Sequence, residues 1–197
     1  MTAAIDIEEV VVSRDNSADP HVREIARDAS HWGFDGRPDM LESIGADPSS
    51  VEIIIVAYLD QVPAGWAWGK RQLAEITPDA RYSGIERLEE GTAGTWFLQY
   101  FGVRPDLRRK GVGRRLFDHV EQVGAANGAD GVSVIVPLPD EPGPRPTEQW
   151  PYGIGYPGRY DTVPFLEGLG YSVRGSATHL FSLGFPVTNL LMIKEFA

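Results

Sequence analysis

Six cationic side chains and two glycines crowd one short stretch of this chain: Arg104, Arg108, Arg109, Lys110, Arg114 and Arg115 around Gly111 and Gly113. Their chemistry is anion binding. Glycine has no Cβ, so a ligand can approach the main chain there. A helix that begins just afterwards leaves its first N–H groups unpaired and partly positive. These six residues stand among only 18 Lys and Arg in a protein whose formal net charge is −10. A local cationic cradle on an acidic body selects a specific anionic ligand, whereas nucleic-acid binding calls for a broad basic face. The plain alternative is a solvated basic turn with an ordinary helix cap. Two phosphate motifs are absent: Lys110 precedes its glycines instead of following them as in a P-loop, and Leu116 stands where a dinucleotide fingerprint needs its third glycine.

The elements around this stretch must hold it in place. Trp96 to Val103 is an apolar run that ends before Pro105 and reads as a strand. Val112, Leu116, Val120 and Val123, with Phe117 beside them, form one apolar stripe at helical spacing, and Asn127-Gly128 is the expected stop. Gly131 to Val136 predicts the next strand. Earlier in the chain, Ile5 to Val12 predicts a first strand, and His21 to Ala29 a helix with Asp19 as N-cap and Pro20 at its first position. Val51 to Leu59 predicts a strand, Asp60 to Gly65 a turn, and Trp66 to Lys70 the return arm of a hairpin. Leu190 to Phe196 predicts a last strand.

The spacing Arg108-x-x-Gly111-x-Gly113, with a strand before it and a helix after it, resembles the acyl-CoA pyrophosphate loop of the GNAT superfamily of N-acetyltransferases. Phe165-Leu166-Glu167-Gly168-Leu169-Gly170-Tyr171 resembles that family's Phe-Tyr-x-x-x-Gly-Phe segment, in which a helix ends at the glycine and a strand starts at the aromatic residue. The two segments cover roughly Thr95 to Val173. The resemblance implies an α/β (α+β) fold: a mixed, mostly antiparallel central sheet flanked by helices, its splayed central strands binding acyl-CoA. It also implies that acetyl-CoA lies along Phe101, Gly102 and Val103 and over Arg108, Arg109, Lys110, Gly111, Val112, Gly113 and Arg114. The implied activity is transfer of the acetyl group to a primary amine of a small molecule or protein by direct attack on the thioester. One departure bears on this. Leu166 stands where the family frequently has the tyrosine that protonates the departing thiolate, and leucine has no proton to give. A GNAT-like domain that binds acyl-CoA without transferring the acyl group is the alternative reading.

The acid and base are not written into the cofactor strand, which has no carboxylate between Thr95 and Val103; Gln99 and Tyr100 could orient only a water or a substrate. Tyr160, Tyr152 and Tyr156 are candidate acids, each with a packing role as its plain alternative; Tyr160 leads and Tyr152 follows. From Pro137 to Pro157 the chain holds seven of its 15 prolines, a density that forbids a regular helix or central strand. This segment is expected to wall the acceptor pocket with Trp150, Tyr152 and Tyr156, joined by Tyr160, the plain alternative being a proline-stiffened surface excursion. Trp32 and Phe34 are expected to border the same pocket, or to be core or hinge anchors, and His31 beside them is a candidate base with a structural or surface role as its plain alternative. His21, His119 and His179 show no local partners of metal-site spacing, and no His-Glu-x-x-His occurs, so no metal is expected.

At 197 residues the chain is expected to be one GNAT-like domain, with a cofactor-binding core at about 95–136 and a proline-rich insertion at about 137–159. The absence of cysteine excludes disulfides and thiol nucleophiles. No long apolar stretch and no secretory start are evident, so a cytoplasmic protein with neither membrane nor nucleic acid as partner is expected. Its acidity suits a cationic acceptor. The apolar stretch Phe181 to Leu191 packs on its own fold or, in a homodimer, on a second copy.

Overall fold

The computed structural model describes residues 4–12, 52–71, 88, 91–139, 162–180 and 186–197. The chain divides into two compact units, one comprising 1–71 and 98–129, the other 72–97 and 130–197. Strand β4 (Trp96–Val103) carries the chain from the second into the first.

In the first unit β1 (Ile5–Val12), β2 (Glu52–Leu59) and β3 (Val62–Arg71) form an antiparallel meander in that order. The β-branched run Ile53 to Val56 suits a strand buried on both faces, and all four residues are buried. The hairpin turn is shorter than the expected Asp60 to Gly65. Only Asp60 (φ 52°) and Gln61 (φ 66°) make it, and β3 already begins at Val62. Two successive left-handed residues give a turn whose twist matches the strands. Pro63 is tolerated because the ladder is irregular beside it: Tyr58 pairs with Pro63 and Ala57 with Gly65, which leaves Ala64 as an extra residue. The Ala64 carbonyl accepts the N–H of Arg104 at 2.8 Å, beyond the end of β4.

Helix α1 (Val112–Ala126) packs on β1, β2 and β3. Its buried face is the expected stripe, Val112, Leu116, Phe117, Val120 and Val123, with Gly124 added. The helix sits close because strand alternation turns Gly65, Ala67 and Gly69 towards it. A Cβ at Gly65 would lie 3.1 Å from Val112 Cγ1 and 3.1 Å from the Gly102 carbonyl. Phe101 meets Phe117 edge-on at 5.0 Å between ring centroids. His119, on the same helix, pairs with Glu9 of β1. The helix ends where Asn127-Gly128 predicts. Gly128 (φ 70°) donates to the Ala125 carbonyl and Ala129 to that of Gly124, each at 3.0 Å, the reversed double bond of a Schellman motif.

In the second unit β5 (Gly131–Pro139), β6 (Ser172–Leu180) and β7 (Pro186–Glu195) pair antiparallel in the order β5-β7-β6. Two expectations are corrected here. β5 runs past Val136 through Pro137, opposite Asn189, to Pro139, opposite Val187. Residues two apart present the same backbone edge, so both missing N–H groups fall on one side of the strand. β7 begins at Pro186, not Leu190, since proline is compatible with the first position of a strand. The short helix α2 (Thr162–Glu167) ends as its sequence predicts, in a second Schellman motif. Gly170 (φ 92°) donates to the Glu167 carbonyl at 2.9 Å and Tyr171 to that of Leu166 at 3.0 Å. Below β4, the buried Thr95 hydroxyl donates to the Thr92 carbonyl at 2.6 Å. Its single proton is therefore engaged, and Ser133 must be the donor in their 2.5 Å hydroxyl pair.

Candidate functional site

The basic segment follows β4 directly. Arg104, Asp106 and the single turn of 3-10 helix Pro105–Leu107 make a compact corner, closed by the Leu107 N–H on the Arg104 carbonyl at 2.9 Å. Within it Arg104 and Asp106 form a bidentate pair, Nε to Oδ1 at 2.8 Å and Nη2 to Oδ2 at 2.7 Å. These hydrogen bonds hold the Arg104 pKa above, and the Asp106 pKa below, their ordinary values; Lys110 adds a smaller pull on Asp106. Arg104 is thus tied to a carboxylate two residues away. Arg108 turns back on the strand, its Nε donating to the Val103 carbonyl at 3.0 Å.

Two left-handed residues then bracket Lys110: Arg109 at φ 61° and Gly111 at φ 88°. Gly111 is the N-cap of α1 and gives it no side-chain cap. An ordinary Ser, Thr, Asp or Asn at this place would occupy one of the first N–H groups. Here no side-chain cap bonds the first turn, Val112-Gly113-Arg114, among the described residues, and the positive end of the helix can take an external acceptor. The need for glycine is conformational at this point: among the described residues a Cβ on Gly111 would meet only Ile5 Cδ1, at 3.8 Å. Lys110, Arg114 and Arg115 are exposed around the opening, as are Arg108 and Arg109. Val112 is 1% exposed and belongs to the buried face of α1. Phe101, Gly102 and Val103 lie partly exposed on the last residues of β4. The arrangement can bind an oxyanion at the helix start and an extended chain along the strand.

The structure brings together Phe101 to Val103 and Arg108 to Arg114. The other sequence candidates, Tyr152, Tyr160, Trp32, Phe34, Trp150 and Tyr156, lie outside the described residues, as does His31. Leu166, in the position of the family's tyrosine, is wholly buried among the core of the second unit. Among the described residues no cluster of His, Cys, Asp or Glu could hold a metal ion, and no helix is long and apolar enough to cross a membrane.

Two burial states were not legible in the sequence, one of them at Gln99, which the sequence named only as able to orient a water or a substrate. Glu52, at the start of β2, is the only buried carboxylate among the described residues, and it accepts the Trp68 indole N–H at 3.1 Å across the β2–β3 ladder. Gln99, in the middle of β4, has its side-chain oxygen buried with no hydrogen-bond partner among the described residues. No local pattern marks either, because burial and pairing are set by residues distant in sequence. The Glu9 partner of His119, 110 positions away, was invisible for the same reason.

A model of the Acetyltransferase (GNAT) family matches residues 20–142, more than half of the chain, and the protein belongs to that family of acetyltransferases. No curated protein matches it. Solved structures similar to it include an acetyltransferase of the GNAT family from Desulfovibrio desulfuricans, 17% identical, with TM-score 0.55 over 98% of this chain and 100% of that one. The ribosomal-protein-S18-alanine N-acetyltransferase of Escherichia coli is 11% identical, with TM-score 0.58 over 98% and 95%. An aminoglycoside 6′-N-acetyltransferase complexed with coenzyme A is 17% identical, with TM-score 0.56 over 96% of each chain. The fold is therefore that of the GNAT acetyltransferases, a sheet of mostly antiparallel strands with flanking helices.

Proposed function

We propose that this protein transfers an acetyl group from acetyl-CoA to a primary amine of a small molecule or a protein. The observation that carries the reading is the uncapped start of α1 at Gly111, directly after an arginine-rich turn at the end of β4, in a chain of this family. The diphosphate of the co-substrate is held by the main chain of Gly111 to Arg114 and by the charges of Arg108, Arg109 and Lys110. The pantetheine arm runs back along Phe101 to Val103.

The amine attacks as the neutral base. Its nitrogen bonds to the acetyl carbon, the carbon–sulfur bond breaks, and the proton lost by the amine balances the thiolate. A main-chain N–H near Phe101 to Val103 stabilises the developing oxyanion. Leu166 donates no proton, so Tyr160, then Tyr152, is the proposed acid. Trp32, Phe34, Trp150 and Tyr156 wall the acceptor, the last two from the proline-rich insertion 137–159 of a single GNAT-like domain. The acidic body draws a cationic acceptor towards this pocket.

Free thiol is measured from acetyl-CoA with a panel of amines, including an aminoglycoside and an alanine-terminated peptide, the acceptor classes named for two structural relatives. Thiol release that requires an amine supports transfer. Leu166 favours a second reading, binding of acyl-CoA without transfer; tight acetyl-CoA binding with no amine-dependent release would select it.

A further inference from the structure

Lysine is rare in this chain, which has three, Lys70, Lys110 and Lys194, against 15 arginines. Among side chains only lysine carries a primary amine; a guanidinium stays protonated and has no free electron pair for attack. The three lysines are placed differently. Lys70 lies partly exposed on β3, opposite the buried Glu52 in the β2–β3 ladder. Lys194 lies partly exposed on β7, its Nζ 6.0 Å from the centre of the Tyr171 ring. Lys110 is exposed, makes no hydrogen bond among the described residues, and stands in the basic turn between two left-handed residues, Arg109 and Gly111.

The surroundings of Lys110 supply a partner. Arg104, Arg108, Arg109, Arg114 and Arg115 concentrate positive charge beside it in a chain whose net charge is −10. The cationic turn of one copy and the acidic body of another are therefore complementary, and complementarity of this kind speeds encounter. The turn has the charge that suits an acceptor for this enzyme, and it holds a single primary amine. Its own donor cannot serve it. With the diphosphate held at Lys110, the pantetheine arm leads away along Phe101 to Val103 and takes the thioester with it.

Resting on the acetyl-CoA reading above, we propose that Lys110 is an acetylation site, modified by a second copy of this chain. The neutral Lys110 nitrogen bonds to the acetyl carbonyl carbon, the carbon–sulfur bond breaks, and the proton shed by the amine balances the departing thiolate. The products are acetyl-lysine and coenzyme A. Acetyl-lysine has no charge, so the diphosphate cradle loses one of its cations. Asp106, held below its ordinary value first by the hydrogen bonds from Arg104 and less by the charge of Lys110, loses the smaller of those pulls. The modification thus weakens binding of the next acetyl-CoA and limits the enzyme's own turnover.

The full chain is incubated with acetyl-CoA and no added amine, and the acetyl group is located by peptide mass mapping. Lys110 acquires it about tenfold faster than Lys70 or Lys194, at a rate per molecule that rises with protein concentration and falls as salt screens the encounter. By calorimetric titration, wild type binds acetyl-CoA several-fold more weakly after the incubation than before it. Lys110→Arg, which keeps the charge and lacks the amine, shows the same affinity before and after.

Equal labelling of the three lysines overturns the proposal, since it marks bulk chemical acetylation. Labelling of Lys110 at a rate independent of protein concentration also overturns it, because that marks reaction with free acetyl-CoA. So does an unlabelled Lys110 in a protein that releases thiol with an amine of the panel above, and this result leaves the acetyl-CoA reading standing. Failure of wild-type protein to bind acetyl-CoA at all removes that reading itself, an outcome distinct from the others.

Discussion

The two ends of α1 are built to opposite purposes. At the C-terminus, Asn127, Gly128 and Ala129 return their N–H groups to the carbonyls of Val123, Gly124 and Ala125, and the Asn127 side-chain amide bonds the Val123 carbonyl at 2.8 Å. At the N-terminus, Gly111 offers no side chain, and exposed cations surround the opening. Both ends rely on a left-handed glycine, Gly128 at φ 70° and Gly111 at φ 88°. One glycine closes hydrogen bonds within the fold; the other leaves donors open. Left-handed glycine is thus a backbone device whose meaning depends on what the freed groups then meet. α2 repeats the closed ending at Gly170, where the Lys194 side chain runs alongside, 3.7 Å from a Cβ placed on the glycine.

The comparison breaks most sharply at Gly111. Gly111→Val places a β-branched side chain at positive φ and beside the anion site, so acetyl-CoA affinity is expected to fall tenfold or more, with a strain of about 1–2 kcal/mol. Calorimetric titration and a melting curve on one sample separate the two effects. Gly128→Val carries a similar strain, about 1–2 kcal/mol, but should lower only the melting temperature. Equal loss of acetyl-CoA binding in both variants would erase the distinction between the ends.

Charge sharpens the contrast further. Lys110→Ala is expected to weaken acetyl-CoA binding several-fold at low salt, and by less as ionic strength shortens the Debye length to about 8 Å at 0.15 M. Asp106→Asn releases Arg104 from its bidentate partner and should tighten binding by a small factor, read in the same titration. The smallest effect concerns pH. Because Arg104 lowers the Asp106 pKa in the folded protein, the pair favours folding above the ordinary carboxylate value of 3.8. That contribution fades as pH falls through the lower folded value. An NMR titration of the Asp106 carboxyl should have its midpoint below 3.8, returning towards it in Arg104→Ala.

What could be read locally was read well where one period dominates. The spacing of Val112, Leu116, Val120 and Val123 marks α1 because 3.6-residue periodicity needs no partner to be visible. Ile5 to Val12 and Trp96 to Val103 coincide with β1 and β4. Prolines misled twice. Pro63 and Pro137 look like breaks, yet each lies within a strand, because a proline costs a ladder bond only where its N–H would have paired. Asp60 and Gln61 carry no glycine, so a two-residue turn with positive φ at both was not evident.

The sequence by itself determined the family, the helix with its glycine stop, and the cationic turn at its start, since each is a matter of residue type within a few positions. Tertiary structure alone decided which of those charges is engaged, as with Arg104 on Asp106, and that Trp96 Nε1 and Gln99 Oε1 of β4 are buried without a partner among the described residues. It also paired His119 with Glu9 and Trp68 with Glu52. The physical reason is the same throughout: backbone preference and periodicity are local, whereas desolvation and side-chain pairing depend on whatever the rest of the chain brings alongside.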